Sequence, residues 1–207
     1  MSALPKHYYS VAEYLALEEK AEYKSEYYQG EIFMMAGGTP NHNRIRENLS
    51  GELYIALKKK SCRAYSSDQR LMVVAHGLYT YPDLMIICGK NQYDTEDRNA
   101  ISNPVVLIEV LSKSTGNYDR GKKFRMYRTL PTLQEYVMVD SITYLAEVYR
   151  KHEDGFWYIL SDSDTPDGEI YLKSIDLTLS MADIYNDTEN ILTEVPEPTE
   201  SNEPSDE

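Results

Sequence analysis

The chain has 207 residues, 42% of them hydrophobic, which is room for one α/β domain of ordinary size with one sizeable core. No apolar run approaches the roughly 18 uncharged residues needed to span a bilayer, and MSALPKHYYS at the start has no apolar segment of a secretory signal, so the expected location is the cytoplasm. The net charge of −13 argues against strong sequence-independent binding to nucleic acid, although nine acidic residues and no Lys or Arg lie from Asp183 onward, leaving −4 for residues 1–182.

With Ser10 as its N-cap, the stretch 9–24 reads as a short amphipathic helix. SEYYQGEIFMMAG predicts a hairpin turning near Gln29-Gly30. Thr39 as N-cap and Pro40 at the first helical position open the longest helix, 41–60, in which Ile45, Leu49, Leu53 and Leu57 recur at i+4. Lys58, Lys59 and Lys60 would face the negative pole of its dipole. CRAYSSD, QRLMVVA and YPDLMIIC read as strands, and NPVVLIEVLS as a buried central strand because its apolar run is almost unbroken. A basic helix follows over about 118–130, closed by Pro131. QEYVMVD, TYLAEVYRK and FWYILS are further strands, with DSDTPDGEI a turn between two of them. Residues 1–185 are thus expected to form one domain. From 186 to 207 the chain turns to Glu, Pro, Ser, Thr and Asn and is expected to be a disordered acidic tail. Cys62 and Cys88 stand outside any zinc-like spacing and read as small core hydrophobes in a reducing compartment. The nineteen tyrosines suit strand surfaces as readily as base stacking.

Two residues break the pattern. Asp83 lies in YPDLMII and, under strict alternation, shares a face with Met85 and Ile87; Glu109 lies in VVLIEVL and shares one with Leu107 and Leu111. One strand carboxylate more often caps a strand end or meets a surface lysine. Two of them, on strands able to pair, point to a metal, and hard oxygen ligands suit Mg²⁺ or Mn²⁺ better than zinc. On the basic helix Asp119, Lys123 and Tyr127 are spaced i, i+4, i+8, so Lys123 could reach the end of the Glu109 strand, where an ammonium would stabilise charge on a phosphate. The blander alternative is a surface Asp119–Lys123 pair. Glu31 in the hairpin is a candidate outer carboxylate, and His42 in the first turn of the long helix a candidate neighbour of the site. Arg120 could contact phosphate or an acidic loop.

Tyr81-Pro82-Asp83, then Ile108-Glu109-Val110-Leu111-Ser112 with Ser114-Thr115, then Asp119-Arg120, Lys123, Tyr127 and Glu135-Tyr136 together resemble the Uma-two family of bacterial restriction-type endonucleases, within the PD-(D/E)XK superfamily. Gly30-Glu31 and His42 fit the same pattern, and the likeness covers about residues 8–150. It implies an α/β restriction-endonuclease-like core with a central mixed β-sheet flanked by helices. It further implies Mg²⁺ or Mn²⁺ held by Asp83 and Glu109, with help from the Val110 carbonyl, and hydrolysis of phosphodiester bonds in DNA by a homodimer. The superfamily's lysine belongs two residues after the acid, where this chain has Leu111. In this family it has moved to the following helix, which gives Lys123, with Lys122 as its neighbour and competitor and Lys113 less well placed. A non-catalytic nuclease-fold module for interaction or regulation is the alternative, favoured by the acidic core and the missing strand lysine.

Overall fold

In the computed structural model, residues 7–193 are described. Ser10 caps the first helix, α1 (Val11–Glu18), in a reciprocal box with Glu13. The helix ends six residues before the expected limit, because the Glu18 carboxylate accepts bonds from the Ser25 N–H and hydroxyl and so folds the chain back into the hairpin. That hairpin, β1 (Ser25–Tyr28) and β2 (Glu31–Met34), turns at Gln29 and Gly30, both at positive φ. Thr39 caps the long helix α2 (Pro40–Leu57) with Pro40 at its start. Lys58, Lys59 and Lys60 lie past its end, Lys59 with φ of 69°, so they do not form its last turn as expected.

The expected strand over QRLMVVA is shorter. β3 (Cys62–Ser66) is followed by β4 (Leu71–Val73), then a single tight turn, Val74–His76, and Gly77 at φ 60° sends the chain back through β5 (Leu78–Thr80). β5 pairs with both β4 and β1, giving a four-stranded sheet in the order β2-β1-β5-β4. Three-residue strands are too short to show an alternation in sequence. β6 (Leu84–Cys88) starts after Asp83, which therefore sits just before the strand rather than in its alternating face.

The main sheet has six strands in the order β10-β9-β8-β7-β6-β3, built from β3 and β6 with β7 (Val106–Leu111), β8 (Glu135–Asp140), β9 (Ala146–Lys151) and β10 (Trp157–Ser163). β7 and β8 are parallel and the other pairs antiparallel, so the sheet is mixed as expected. The parallel pair needs a crossover, supplied by a helix over residues 116–127, α3, whose middle, Asp119–Lys123, is π-wound. β11 (Glu169–Leu172), β12 (Leu177–Ser180) and a short helix, Met181–Ile184, were not expected; DSDTPDGEI is the link from β10 into that hairpin.

Every side chain of β7 is buried, and its two faces serve two cores. Ile108 and Val110 meet Ile45, Leu49 and Leu53 of α2, with the C-terminal hairpin closing that side. Leu107 and Leu111 meet Phe124 and Tyr127 of α3 and Leu71, Val73 and Leu78 of the small sheet. A third cluster, Tyr14, Tyr27 and Tyr79, seats α1 on the small sheet.

Two expectations need correction. Cys62 and Cys88 are directly opposed across β3 and β6 and joined as a disulfide, not separate core side chains; the pairing follows from strand register, which spacing alone does not give. The tail boundary at 186 falls too early. Tyr144 N–H donates to the Leu192 carbonyl at 3.0 Å, Leu192 N–H donates to that of Ile142 at 2.8 Å, and Asn48 reaches the carbonyl of Asn186 at 2.8 Å. The rest of the expected tail, residues 194–207, lies outside the described residues. Among the described residues no helix is long and apolar enough to cross a membrane.

Candidate active site

The β6–β7 ladder has its last rung at Leu84 and Ile108. Just beyond it, side chains replace backbone partners. Val110 N–H donates to Asp83 Oδ2 at 2.9 Å, and Asp83 N–H donates to Glu109 Oε2 at 3.3 Å. This reciprocal clasp fixes the two carboxylates next to each other at the end of a buried strand. His42, from the first turn of α2, brings Nε2 to 3.3 Å from Asp83 Oδ2.

From the other side α3 brings Lys123. Its Nζ lies 3.0 Å from Glu109 Oε1, 3.4 Å from Glu26 Oε1 and 3.5 Å from Asp119 Oδ1. The π-wound turn widens the helix there and sets Asp119 and Lys123 on one side, both buried. The Tyr127 hydroxyl donates to Glu109 Oε1 at 2.8 Å, and that of Tyr118 to Glu26 Oε2 at 3.4 Å. Thr80 also donates to Glu26. One ammonium is thus shared by three carboxylates, with Asp83 as a fourth nearby.

Burial dominates the electrostatics. It pushes the Glu109 carboxyl up to about 8, aided by the charges of Asp119 and Asp83 and opposed by Lys123. Burial also raises Asp119, against the pull of Lys123. Asp83 behaves oppositely: burial disfavours its charge, yet His42, the Val110 N–H and Lys123 hold it below the usual carboxylate range. Burial works against the charge of Lys123 too, but Glu109, Tyr127, Glu26 and Asp119 keep its proton affinity well above the ordinary value. His42 is buried in a way that disfavours charge, and its bond to Asp83 nevertheless raises it.

The fold brings together Asp83, Glu109, Lys123, Asp119 and His42 from four separate stretches of the sequence. Glu31 is elsewhere: it faces Tyr28 across the hairpin turn, and the hairpin carboxylate at Lys123 is Glu26. Glu26 went unsingled because its signal is non-local. It needs β1 to pair with β5 so that Thr80 lies against it. Leu111 is part of the apolar core. Lys122 is exposed, with Nζ 4.4 Å from the Tyr28 ring centroid, and Lys113 is exposed. Arg120 pairs with Glu147 and Asp140 on the neighbouring strands.

Among the described residues no group of three or more His, Cys, Asp or Glu forms a ready metal cage. The ammonium of Lys123 stands where three carboxylates converge. Even so, the donor set fits a hard divalent cation. Four carboxylates share one lysine and one histidine, an oxygen-rich set of the kind that hard divalent cations take.

A family model described as "Putative restriction endonuclease" (Uma2) matches residues 11–182. Two proteins of Synechocystis sp. PCC 6803, each named as uncharacterized, are similar. One, sll1609, is 40% identical over 150 residues, 72% of this chain and 85% of that protein. The other, slr1290, is 38% identical over 176 residues, 85% and 90% respectively. A crystal structure from Anabaena variabilis ATCC 29413, described as "a putative nuclease belonging to DUF820", matches with a TM-score of 0.67 at 22% identity, covering 84% of this chain and 96% of that one. At that identity the likeness is one of fold.

Proposed function

The chain belongs to the Uma2 family, described as "Putative restriction endonuclease", and from that premise we propose that it is a Mg²⁺- or Mn²⁺-dependent endonuclease hydrolysing phosphodiester bonds in DNA. The observation that carries this reading is the clasped pair Asp83 and Glu109 with Lys123 3.0 Å from Glu109, buried at the end of a central strand. Asp83 and Glu109 would hold the cation, which when bound polarises a phosphoryl oxygen and makes water a better nucleophile.

The chain's own residues do the rest. His42 and the Val110 N–H hold the Asp83 carboxylate in one orientation, and Tyr127 does so for Glu109. Lys123 keeps its proton under the field of its acids and offers a fixed positive charge to a phosphate. Products would carry 5′-phosphate ends. Cutting both strands of a duplex calls for two such sites, hence a homodimer. A DNA substrate would go with a cytoplasmic location, where a Cys62–Cys88 bridge would be an exception to the usual reduced state.

Calorimetric titration of Mn²⁺ tests the assignment. Asp83→Asn and Glu109→Gln should each abolish binding at this site, and both should lose Mg²⁺-dependent cleavage of plasmid DNA. Unchanged Mn²⁺ binding in both variants removes the metal site. Intact binding in the wild-type chain without any cleavage leaves a non-catalytic nuclease-fold module.

A further inference from the structure

We propose that the polar cavity beside Tyr81 is a subsite for an unpaired nucleotide of the strand presented to Asp83 and Glu109, an inference that rests on the nuclease reading. The cavity, about 440 Å³, is lined by Tyr81, Tyr93, Arg70, Arg98, Gln69, Asn99 and Asp68. A second cavity of about 260 Å³ shares Tyr81 and Asp68 and continues to Glu18, Glu22, Tyr23 and Lys24. The first is of the size that takes a small ligand.

Tyr81 is a rigid wall. Its hydroxyl donates to Glu18 Oε1 at 2.9 Å and accepts from Arg70 Nε at 2.8 Å, and the Arg70 guanidinium lies 5.4 Å from its ring centroid. Arg70 is itself committed to Asp97 and serves to hold this ring. The cations nearer solvent are not so committed. Lys24 pairs with Asp68, whose side chain is 91% exposed, a contact that a phosphate readily replaces. Arg98 is exposed and has no ion-pair partner among the described residues.

The cavity is connected to the carboxylates. Tyr81 precedes Asp83 by two residues. Arg46, one turn along α2 from His42, donates to the Ser67 hydroxyl at 3.2 Å, and Lys24 donates to the Ser67 carbonyl at 2.8 Å. Arg46, Lys24 and Arg98 therefore form a line of cations from the His42–Asp83 contact to the cavity, Arg46 and Lys24 in pairs with the exposed carboxylates of Glu47 and Asp68, which a phosphate can displace. Cations spaced beside the exposed Tyr93 ring suit a single strand, whose phosphates meet the charges while a base stacks on that ring.

The test is fluorescence anisotropy of labelled oligo(dT), and of a duplex of equal length, with the full chain in EDTA, so that hydrolysis plays no part. The double variant Lys24→Ala/Arg98→Ala should bind oligo(dT) about 10-fold more weakly, with its salt slope reduced by about 0.7 for each lost phosphate contact. Tyr93→Ala, on the exposed wall, should weaken oligo(dT) binding with the slope unchanged. Affinity and slope equal to wild type in the double variant overturn the subsite, as does an equal loss for oligo(dT) and duplex, or no oligo(dT) binding by the wild-type chain. Normal oligo(dT) binding, sensitive to Lys24 and Arg98, in a chain that cleaves nothing supports the subsite and sinks the nuclease reading alone.

Discussion

Two glutamates on adjacent parallel strands are buried in the same sheet, and their surroundings could hardly differ more. Glu135 opens β8 and is fully buried. Its carboxylate accepts from Arg150 Nη1 at 2.7 Å, from the Lys173 N–H at 2.9 Å and from the Ser174 N–H at 3.1 Å, so one acid has one arginine and two backbone donors to itself. That arrangement bolts the turn between β11 and β12 to the sheet. Glu109, toward the end of β7, shares its lysine with Glu26 and Asp119 and has Asp83 beside it. A buried charge kept for structure is matched by its partners. The Glu109 cluster is over-supplied with acid, at the C-terminal end of a parallel strand, where open α/β sheets commonly place ligands. The mismatch, rather than burial, is what distinguishes the candidate site.

Removing Lys123 should have the largest effect. Lys123→Ala takes the one ammonium from three carboxylates; cleavage should fall by about 100-fold or more, and stability by about 3–5 kcal/mol in metal-free buffer. Lys122→Ala, on the exposed side, should change stability by no more than about 0.5 kcal/mol. Plasmid cleavage and thermal melts of the two variants, side by side, settle which lysine serves the site; similar mild effects would make α3 a structural element. Glu135→Gln tests the other half. It should cost about 1–3 kcal/mol of stability, while Mn²⁺ affinity and cleavage per folded molecule stay at wild-type levels. A matching loss of Mn²⁺ affinity would mean that the two glutamates are not functionally distinct.

The contrast was half legible in the sequence. Asp83 and Glu109 stand out because charges interrupt apolar runs, and the i, i+4 spacing singles out Asp119 and Lys123. A buried central strand and a following crossover helix could be read from the same stretch. Glu135, in QEYVMVD, stands beside Gln134 at the polar start of an apolar run rather than inside one, and its partners Arg150 and Ser174 come from segments 15 and 39 residues away. Nothing local reveals that it is buried and fully matched. Glu26 depends on a three-residue strand, β5, whose pairing carries no sequence period. The Cys62–Cys88 pair likewise needs the β3–β6 register. What failed to show was register and non-local pairing, which set how many donors each buried acid receives.

The smallest effect, and the most direct test of the contrast, is the dependence of stability on pH without metal. Burial, with Asp119 and Asp83 adding, raises Glu109 from the ordinary 4.5 to about 8. Between those values the folded chain holds a proton that the unfolded chain has released. Glu109 therefore stabilises the fold fully below about pH 4.5, and this contribution is lost as pH climbs through about 8, with a slope of at most about 1.4 kcal/mol per pH unit. Asp119 and His42, both raised, bend the curve the same way, whereas the lowered Asp83 acts only on the acid side of the window and Lys123 only on its alkaline side. Glu109→Gln removes one share and leaves the others. Thermal melts in EDTA between about pH 5 and pH 8 should show wild type losing stability more steeply than Glu109→Gln. Mg²⁺ favours the ionised carboxylate, so it should flatten the wild-type curve and leave that of Glu109→Gln alone. Parallel wild-type and Glu109→Gln curves would mean that Lys123 fully neutralises Glu109, and the excess of acid that marks the site would be only formal.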